Sequence, residues 1–236
     1  MINPQQIQKI LFLDIETVSE APEFSELETD WQSLWAEKTR FQRQEESPED
    51  YYPKRAAIMA EFGKIVCISC GFFSLQNGQW EFRIKSFYGD EEYELLENFR
   101  ELLSRLHGFR LCAHNGKEFD FPYLSRRMLK HGIPLPGQLD NAGKKPWEIP
   151  HVDTMELWKF GDFKNFTSLK LLAALFGIPT PKDDIDGSMV GSVYWQDNDL
   201  ERIKIYCEKD VITLAKVFNK IVQSKLPEDF ELINIQ

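Results

Sequence analysis

Three short acidic constellations in this 236-residue chain have the residue types and spacing to do chemistry. Asp14 and Glu16 lie two positions apart at the end of the apolar run at residues 9–14 (KILFLD). Side chains alternate along a strand, so both carboxylates project from one face. Two acids so placed suit a bound cation, and they equally suit a solvated strand end. The second constellation is residues 114–124 (HNGKEFDFPYL), a polar turn leaving a strand, with Asp120 just before Pro122. Proline is tolerated in the first turn of a helix, which puts Asp120 at a helix N-cap. Taken alone, Asp120 reads as a cap; capping does not preclude cation binding if the same junction aims Asp120 at the sheet edge where Asp14 emerges. The third is Tyr206-Cys207-Glu208-Lys209-Asp210. Its phenol and last carboxylate, four apart on an expected helix, share a face from which Glu208 is turned away; the alternative is an exposed polar face.

The elements that must carry these residues follow from hydrophobic periodicity. Residues 9–14 and 64–73 (KIVCISCGFF) read as strands, and 80–87 alternates and closes a hairpin through Gln76-Asn77-Gly78-Gln79. Tyr93, Leu95, Leu96, Phe99, Leu102, Leu103 and Leu106 recur at helical spacing, with Gly108 where a helix would stop. A strand at 109–113 and a helix at 121–130 come next. A loop spans 139–150, a further segment opens at Val152-Asp153, and helices are expected near 169–175 and 203–221. Three antiparallel strands followed by βα units predict an α/β fold with a mixed sheet and helices on both faces, in the ribonuclease H-like order. Length and the hydrophobic share of 42% fit one domain over 1–236. Residues 19–63 interrupt the first two strands as a helical insertion, with Leu27, Trp31, Leu34, Trp35 and Phe41 as its apolar stripe, either a cap on the core or a lid beside a substrate groove.

The order D-x-E after a strand, N-G-x-x-F-D before a helix and Y-x-x-x-D on a late helix resembles the DEDD superfamily of 3′→5′ exonucleases. These are DnaQ-like enzymes of the ribonuclease H-like fold, and the subgroup is the one with tyrosine four residues before the last aspartate. A closer similarity is to predicted exonucleases related to the proofreading domain of family B DNA polymerases. It rests on Asp14-Ile15-Glu16-Thr17, on Gly177-Ile178-Pro179 with Asp186-Gly187-Ser188, and on the Tyr206 to Asp210 segment. It spans nearly the whole chain apart from the insertion. The resemblance implies that Asp14, Glu16, Asp120 and Asp210 bind two divalent ions, Mg²⁺ or Mn²⁺, and that Tyr206 orients the attacking water. It also implies a substrate of single-stranded nucleic acid 3′ ends, DNA in preference to RNA. Carboxylate oxygens fit hard cations, and a phosphodiester attacked in line gains from two ions flanking the attacking and leaving oxygens.

Other residues carry weaker readings. His114 and Asn115 are either a turn-forming pair or contacts to the terminal nucleotide; Thr17 and Phe119 are further candidates for substrate binding. Asp153 is expected to cap the helix through Met155, Leu157 and Trp158, or to be an outer acid of the site. Arg126, Arg127, Lys130 and His131, with Lys144, Lys145, Lys164, Lys170 and Lys182, could track a single strand, and Phe119, Tyr123 or Phe166 could stack bases; taken singly, each reads as solvated surface or core. Cys67, Cys70, Cys112 and Cys207 read as core thiols, the C-x-x-C pair facing opposite ways. The net charge of −10 opposes polyanion binding through the whole molecular field, although loaded metal sites reverse the local sign. Neither a P-loop nor a dinucleotide glycine fingerprint is present, and no apolar run is long enough for a bilayer, so a soluble cytoplasmic protein is expected. The competing functions are an RNA 3′ trimming enzyme of the same fold and an inactive nucleic-acid-binding module.

Overall fold

Alternation along the first strand separates two helical layers. In a computed structural model describing residues 4–162, 164–179, 185–224, 226–227 and 230–235, strand β1 runs Ile10–Ser19. It is followed by β2 (Gly63–Gln76), β3 (Gln79–Tyr88), β4 (Arg110–Ala113), β5 (Val152–Asp153) and β6 (Glu231–Asn234). These form one sheet in the order β5-β4-β1-β2-β3-β6. The β1, β2 and β3 strands pair antiparallel, while β4, β5 and β6 add parallel neighbours, as the mixed-sheet expectation required. The hairpin turn is at Asn77 and Gly78, both with positive φ (51° and 83°), the twist-matched turn that Asn-Gly favours.

The helices are α1 (Pro4–Ile7), α2 (Thr29–Thr39), α3 (Pro48–Arg55), α4 (Glu92–Arg105), α5 (Asp120–Lys130), α6 (Thr154–Lys159), α7 (Leu169–Leu175), α8 (Val190–Ser192) and α9 (Leu200–Ile221). Leu11, Leu13 and Ile15 of β1 pack with Leu96, Phe99 and Leu103 of α4 and Leu124 and Met128 of α5. The intervening residues face α9: Ile10 and Phe12 meet Val211, Leu214 and Phe218, and Val18 meets Ile203 and Cys207. Phe12 lies against the rings of Phe73, Phe82 and Phe218, and truncating it to alanine would cost about 3–5 kcal/mol. Asp14 and Glu16 therefore occupy the gap between two apolar patches on the α9 face.

One strand boundary and one element differ from expectation. β1 continues to Ser19 because β2 pairs with it as far as Gly63, so the two acids lie inside the strand and not at its end. One extra residue of β2 bulges opposite the step from Glu16 to Thr17. β6 was not expected at all.

The apolar stripe of the 19–63 segment is only partly buried. Trp35 joins Tyr52, Ala56 and Phe62 in a small cluster of its own, while Trp31, Leu34 and Phe41 are exposed. Ser47 caps α3 by accepting from the Asp50 N–H at 3.0 Å, with Pro48 at the first helical position. The segment is fastened to α4 and α5 by Arg127, whose Nε and Nη2 donate to Glu92 at 2.8 and 2.5 Å, whose Nη2 also donates to Glu20 at 3.0 Å, and whose Nη1 donates to the Ala60 carbonyl at 2.9 Å. Lys130 pairs with Glu20 at 2.9 Å and His131 with Glu92 at 2.7 Å. A buried guanidinium must be paired. The basic cluster expected to track a nucleic acid strand is thus committed internally, apart from exposed Arg126.

Candidate active site

β1 places Asp14 opposite Ser69 and Glu16 opposite Cys67 on the face that α9 covers. From α9, the Cys207 thiol donates to the Asp14 carbonyl at 3.4 Å and lies 3.7 Å from its Oδ2. Tyr206 and Asp210, one turn apart on the same helix, are joined by a side-chain hydrogen bond from phenol to carboxylate. Glu208 turns away as expected, accepting from Ser86 at 2.7 Å.

Asp120 arrives from the other side. β4 pairs with β1 only as far as Cys112, so among the described residues the β1 edge beyond it has no strand partner. Asp120 fills that edge: its carboxylate accepts from the Ile15 N–H, between the two β1 acids, and from its own N–H. The expected N-cap role belongs instead to Phe119, and Asp120 is the first helical residue. The cap position shifts by one because the turn closes on Asn115, whose carbonyl accepts from the Glu118 and Phe119 N–H groups.

The electrostatics bring the five residues together. Burial pushes the Asp14 carboxyl well above its ordinary range, and Asp120, Asp210 and Cys67 push it further. Glu16 is raised by burial, then by Asp14, Cys67, Asp210 and Asp120. Asp120 is pushed up to about 7, chiefly by burial, with nearby Asp153 adding to it and the two N–H donors opposing it. The Tyr206 phenol is raised by burial and by Asp210, Glu16 and Asp14. Buried carboxylates that raise one another are stabilised by a cation or by protons.

Among the described residues, ligand atoms of Asp14, Glu16 and Cys207 lie within 4.8 Å of one another. Cys207 is a poor ligand candidate. Burial, Cys67, Asp14 and Glu16 all hold its thiol proton on, so it serves as a donor fixing Asp14. The sequence reading had placed Cys207 simply in the core; its position three residues before Asp210, on the sheet-facing side of α9, was the available signal. The donors left are carboxylate oxygens, a set that fits a hard divalent ion.

The turn leading to Asp120 is held by Asp153. It caps α6, accepting from Met155 N–H at 2.9 Å and Glu156 N–H at 3.4 Å. It also accepts from the Asn115 and Lys117 N–H groups at 3.0 and 3.1 Å, so the capping acid and the outer acid are the same residue. His114 bonds Thr154 through Nδ1 at 2.9 Å and the Thr167 carbonyl through Nε2 at 2.8 Å, which fixes the proton on Nε2. Both of its ring nitrogens are engaged within the protein. Thr17 hydrogen-bonds Tyr123, whose hydroxyl donates to the Ala57 carbonyl at 2.8 Å. Tyr123 is buried, and Phe119 packs on it with ring centroids 5.4 Å apart. Asn115 adopts φ 65°. Lys182 lies outside the described residues.

Residues 57–228 match the family described as predicted 3′-5′ exonucleases related to the exonuclease domain of PolB. The chain belongs to that family. The matched segment contains Asp120, Tyr206 and Asp210, and begins late in the insertion, so Asp14 and Glu16 precede it. Among solved structures, the family B DNA polymerase from the hyperthermophilic archaeon Pyrobaculum calidifontis is similar over 88% of this chain, with a TM-score of 0.53 and 17% identity. The chain spans 24% of that polymerase. The likeness is one of fold, and the mixed sheet with its flanking helices is ribonuclease H-like. No helix among the described residues is long and apolar enough to cross a membrane.

Proposed function

We propose that this PolB-related exonuclease hydrolyses phosphodiester bonds at the 3′ end of single-stranded nucleic acid, DNA in preference to RNA, with two divalent ions, Mg²⁺ or Mn²⁺, held by Asp14, Glu16, Asp120 and Asp210. The observation that carries this reading is the convergence of four carboxylates from β1, α5 and α9 on one buried site, where Glu16 is raised by the other three acids and Asp14 by Asp120 and Asp210. Such repulsion has no structural use in an inert fold. When bound, the ions would lower the pKa of a water and stabilise the attacking and leaving oxygens.

Tyr206 keeps its proton across the neutral range, so it orients the water by hydrogen bonding and not as a general base. Its bond to Asp210 holds the ring beside the acids. Cys207 fixes Asp14, and the Ile15 N–H fixes Asp120. Asn115 and Phe119, at the mouth of the turn, contact the terminal nucleotide; His114 supports the turn, and Thr17 contributes through its backbone. The chain acts as one exonuclease domain in which residues 19–63 are an insertion. A reducing compartment such as the cytoplasm keeps the Cys207 thiol unoxidised.

The test is a time course on 5′-labelled single-stranded DNA and RNA of matched sequence with Mg²⁺, Mn²⁺ or chelator, comparing the native chain with Asp14→Ala. A metal-dependent ladder that shortens from the 3′ end, and that the substitution abolishes, is expected, faster on DNA. Faster shortening of RNA would instead assign an RNA-trimming enzyme. Binding without cleavage under either metal would refute the catalytic reading.

A further inference from the structure

Beyond the acids, the described surface carries two large aromatic side chains close together in sequence, Phe160 and Phe166, which are 81% and 66% exposed. Phe160 terminates α6 with φ 42° and ψ 35°, a left-handed conformation that a bulky side chain adopts at a cost and that glycine or asparagine adopts more readily. A phenylalanine that is both exposed and held there gains nothing from the core. Lys159 Nζ lies 4.5 Å from the Phe166 ring centroid, and Lys164 and Lys170 are exposed nearby. Residues 158–170 carry three lysines and one aspartate, net +2, in a chain whose total is −10.

This aromatic and basic surface is fixed to the turn that delivers Asp120. Trp158 packs edge-on against Phe176 and Phe160 with centroids 5.6 and 6.2 Å apart. The Thr167 carbonyl, one residue past Phe166, accepts from His114, and Asp153 at the start of α6 holds the Asn115 and Lys117 N–H groups. The surface and the catalytic turn therefore form one hydrogen-bonded unit. Aromatic faces interleaved with cations bind single-stranded nucleic acid irrespective of sequence, by base stacking and phosphate attraction.

We propose that Phe160 and Phe166, with Lys159 and Lys164, form a stacking platform for the bases of single-stranded nucleic acid upstream of the 3′ terminus. The proposal rests on the exonuclease reading for the location of that terminus. The platform sets affinity and substrate length, and takes no part in bond cleavage.

Phe160→Ala and Phe166→Ala are both surface changes. On a single strand of about twelve nucleotides, each is expected to raise KM about tenfold with little change in kcat, while turnover of a dinucleotide too short to reach the platform stays at the native rate. Equilibrium binding in an Asp210→Asn background, with 2-aminopurine placed in turn at successive upstream positions, should show quenching at one or two positions that the phenylalanine substitutions remove. Native KM, native affinity and undiminished quenching in both variants would overturn the platform. If the native chain cleaves nothing, the exonuclease reading fails instead. The binding measurement still decides the platform: weakened binding in the variants sustains it, and unchanged binding removes it.

Discussion

Asp120→Asn is expected to stabilise the metal-free protein while removing its ability to gain stability from divalent ions. Asp120 is buried and pushed up to about 7 from an ordinary value of 3.8. The folded chain therefore keeps a proton there that the unfolded chain has released. Stability from this group is fully present below about pH 4 and is lost as pH rises through about 7. The difference of about 3 pH units at about 1.4 kcal/mol each amounts to about 4 kcal/mol above that range. Asparagine is neutral at every pH and keeps an amide oxygen for the Ile15 N–H, so the variant escapes that loss. In chelator at pH 8 it should be more stable by up to about 4 kcal/mol, a melting temperature roughly 8–16 °C higher for a chain of this length. Near pH 4 the difference should vanish.

Adding Mg²⁺ or Mn²⁺ at pH 8 should reverse the order. An ion that binds only the folded state raises stability with its concentration, and the native chain alone keeps the full carboxylate set. The assay is thermal melting followed by circular dichroism from pH 4 to pH 8, with chelator and with each metal. A chelated variant melting at or below the native chain at pH 8, or a gap that does not shrink towards pH 4, would refute the reasoning that an ionised carboxylate buried at position 120, beside Asp153, destabilises the metal-free fold.

Tyr206→Phe keeps the ring and deletes the hydroxyl that bonds Asp210; kcat should fall about 10–100-fold with KM little changed. Because the phenol is raised, the native pH–rate profile should show no descending limb from this group below about pH 10, and a lower limb that the phenylalanine variant lacks would contradict its assigned role. Arg127→Met leaves buried Glu92 without its guanidinium and should cost about 3–5 kcal/mol in chemical denaturation, part of it recovered by adding Glu92→Gln. In Gly116→Ala the new methyl would collide with the Ala113 Cβ and come within about 3.0 Å of the Phe121 ring, displacing the turn before Asp120. Cleavage should drop by about tenfold or more while the melting temperature falls only a few degrees, measured side by side on one preparation.

What could be read from sequence was what residue type and local period determine. The β1 acids, the Asn77-Gly78 hairpin and the α9 stripe all announce themselves within a few positions, and the family order of acids ties them to one chemistry. β6 did not, because Glu231, Leu232 and Asn234 are exposed on this edge strand, leaving no buried face to impose alternation. The roles of Arg127 and His114 were hidden for a different reason. Their partners Glu92 and Thr167 stand 35 and 53 residues away, and a cation or imidazole in isolation reads the same whether it meets a phosphate or a buried carboxylate. Asp153 was legible as a cap but not as the clamp on the 115–117 turn, since capping is local and clamping is not.

The same distinction explains how an insertion can separate β1 from the rest of the fold without disturbing the acids. Glu20 lies one residue past the end of β1 and Ala60 three residues before β2, so they mark the two ends of the 19–63 segment. Arg127 binds both, together with Glu92 on α4, and it lies seven residues beyond Asp120, two turns along the same helix. One side chain thus fixes the exit of the strand that carries Asp14 and Glu16, the re-entry of the chain into β2 and the helix that carries Asp120. The Ile15 N–H to Asp120 bond then sets the final approach. With β1 and α5 tied at both points, the length of the insertion does not enter the geometry of the site, and repulsion among the four acids is opposed by buried contacts outside it.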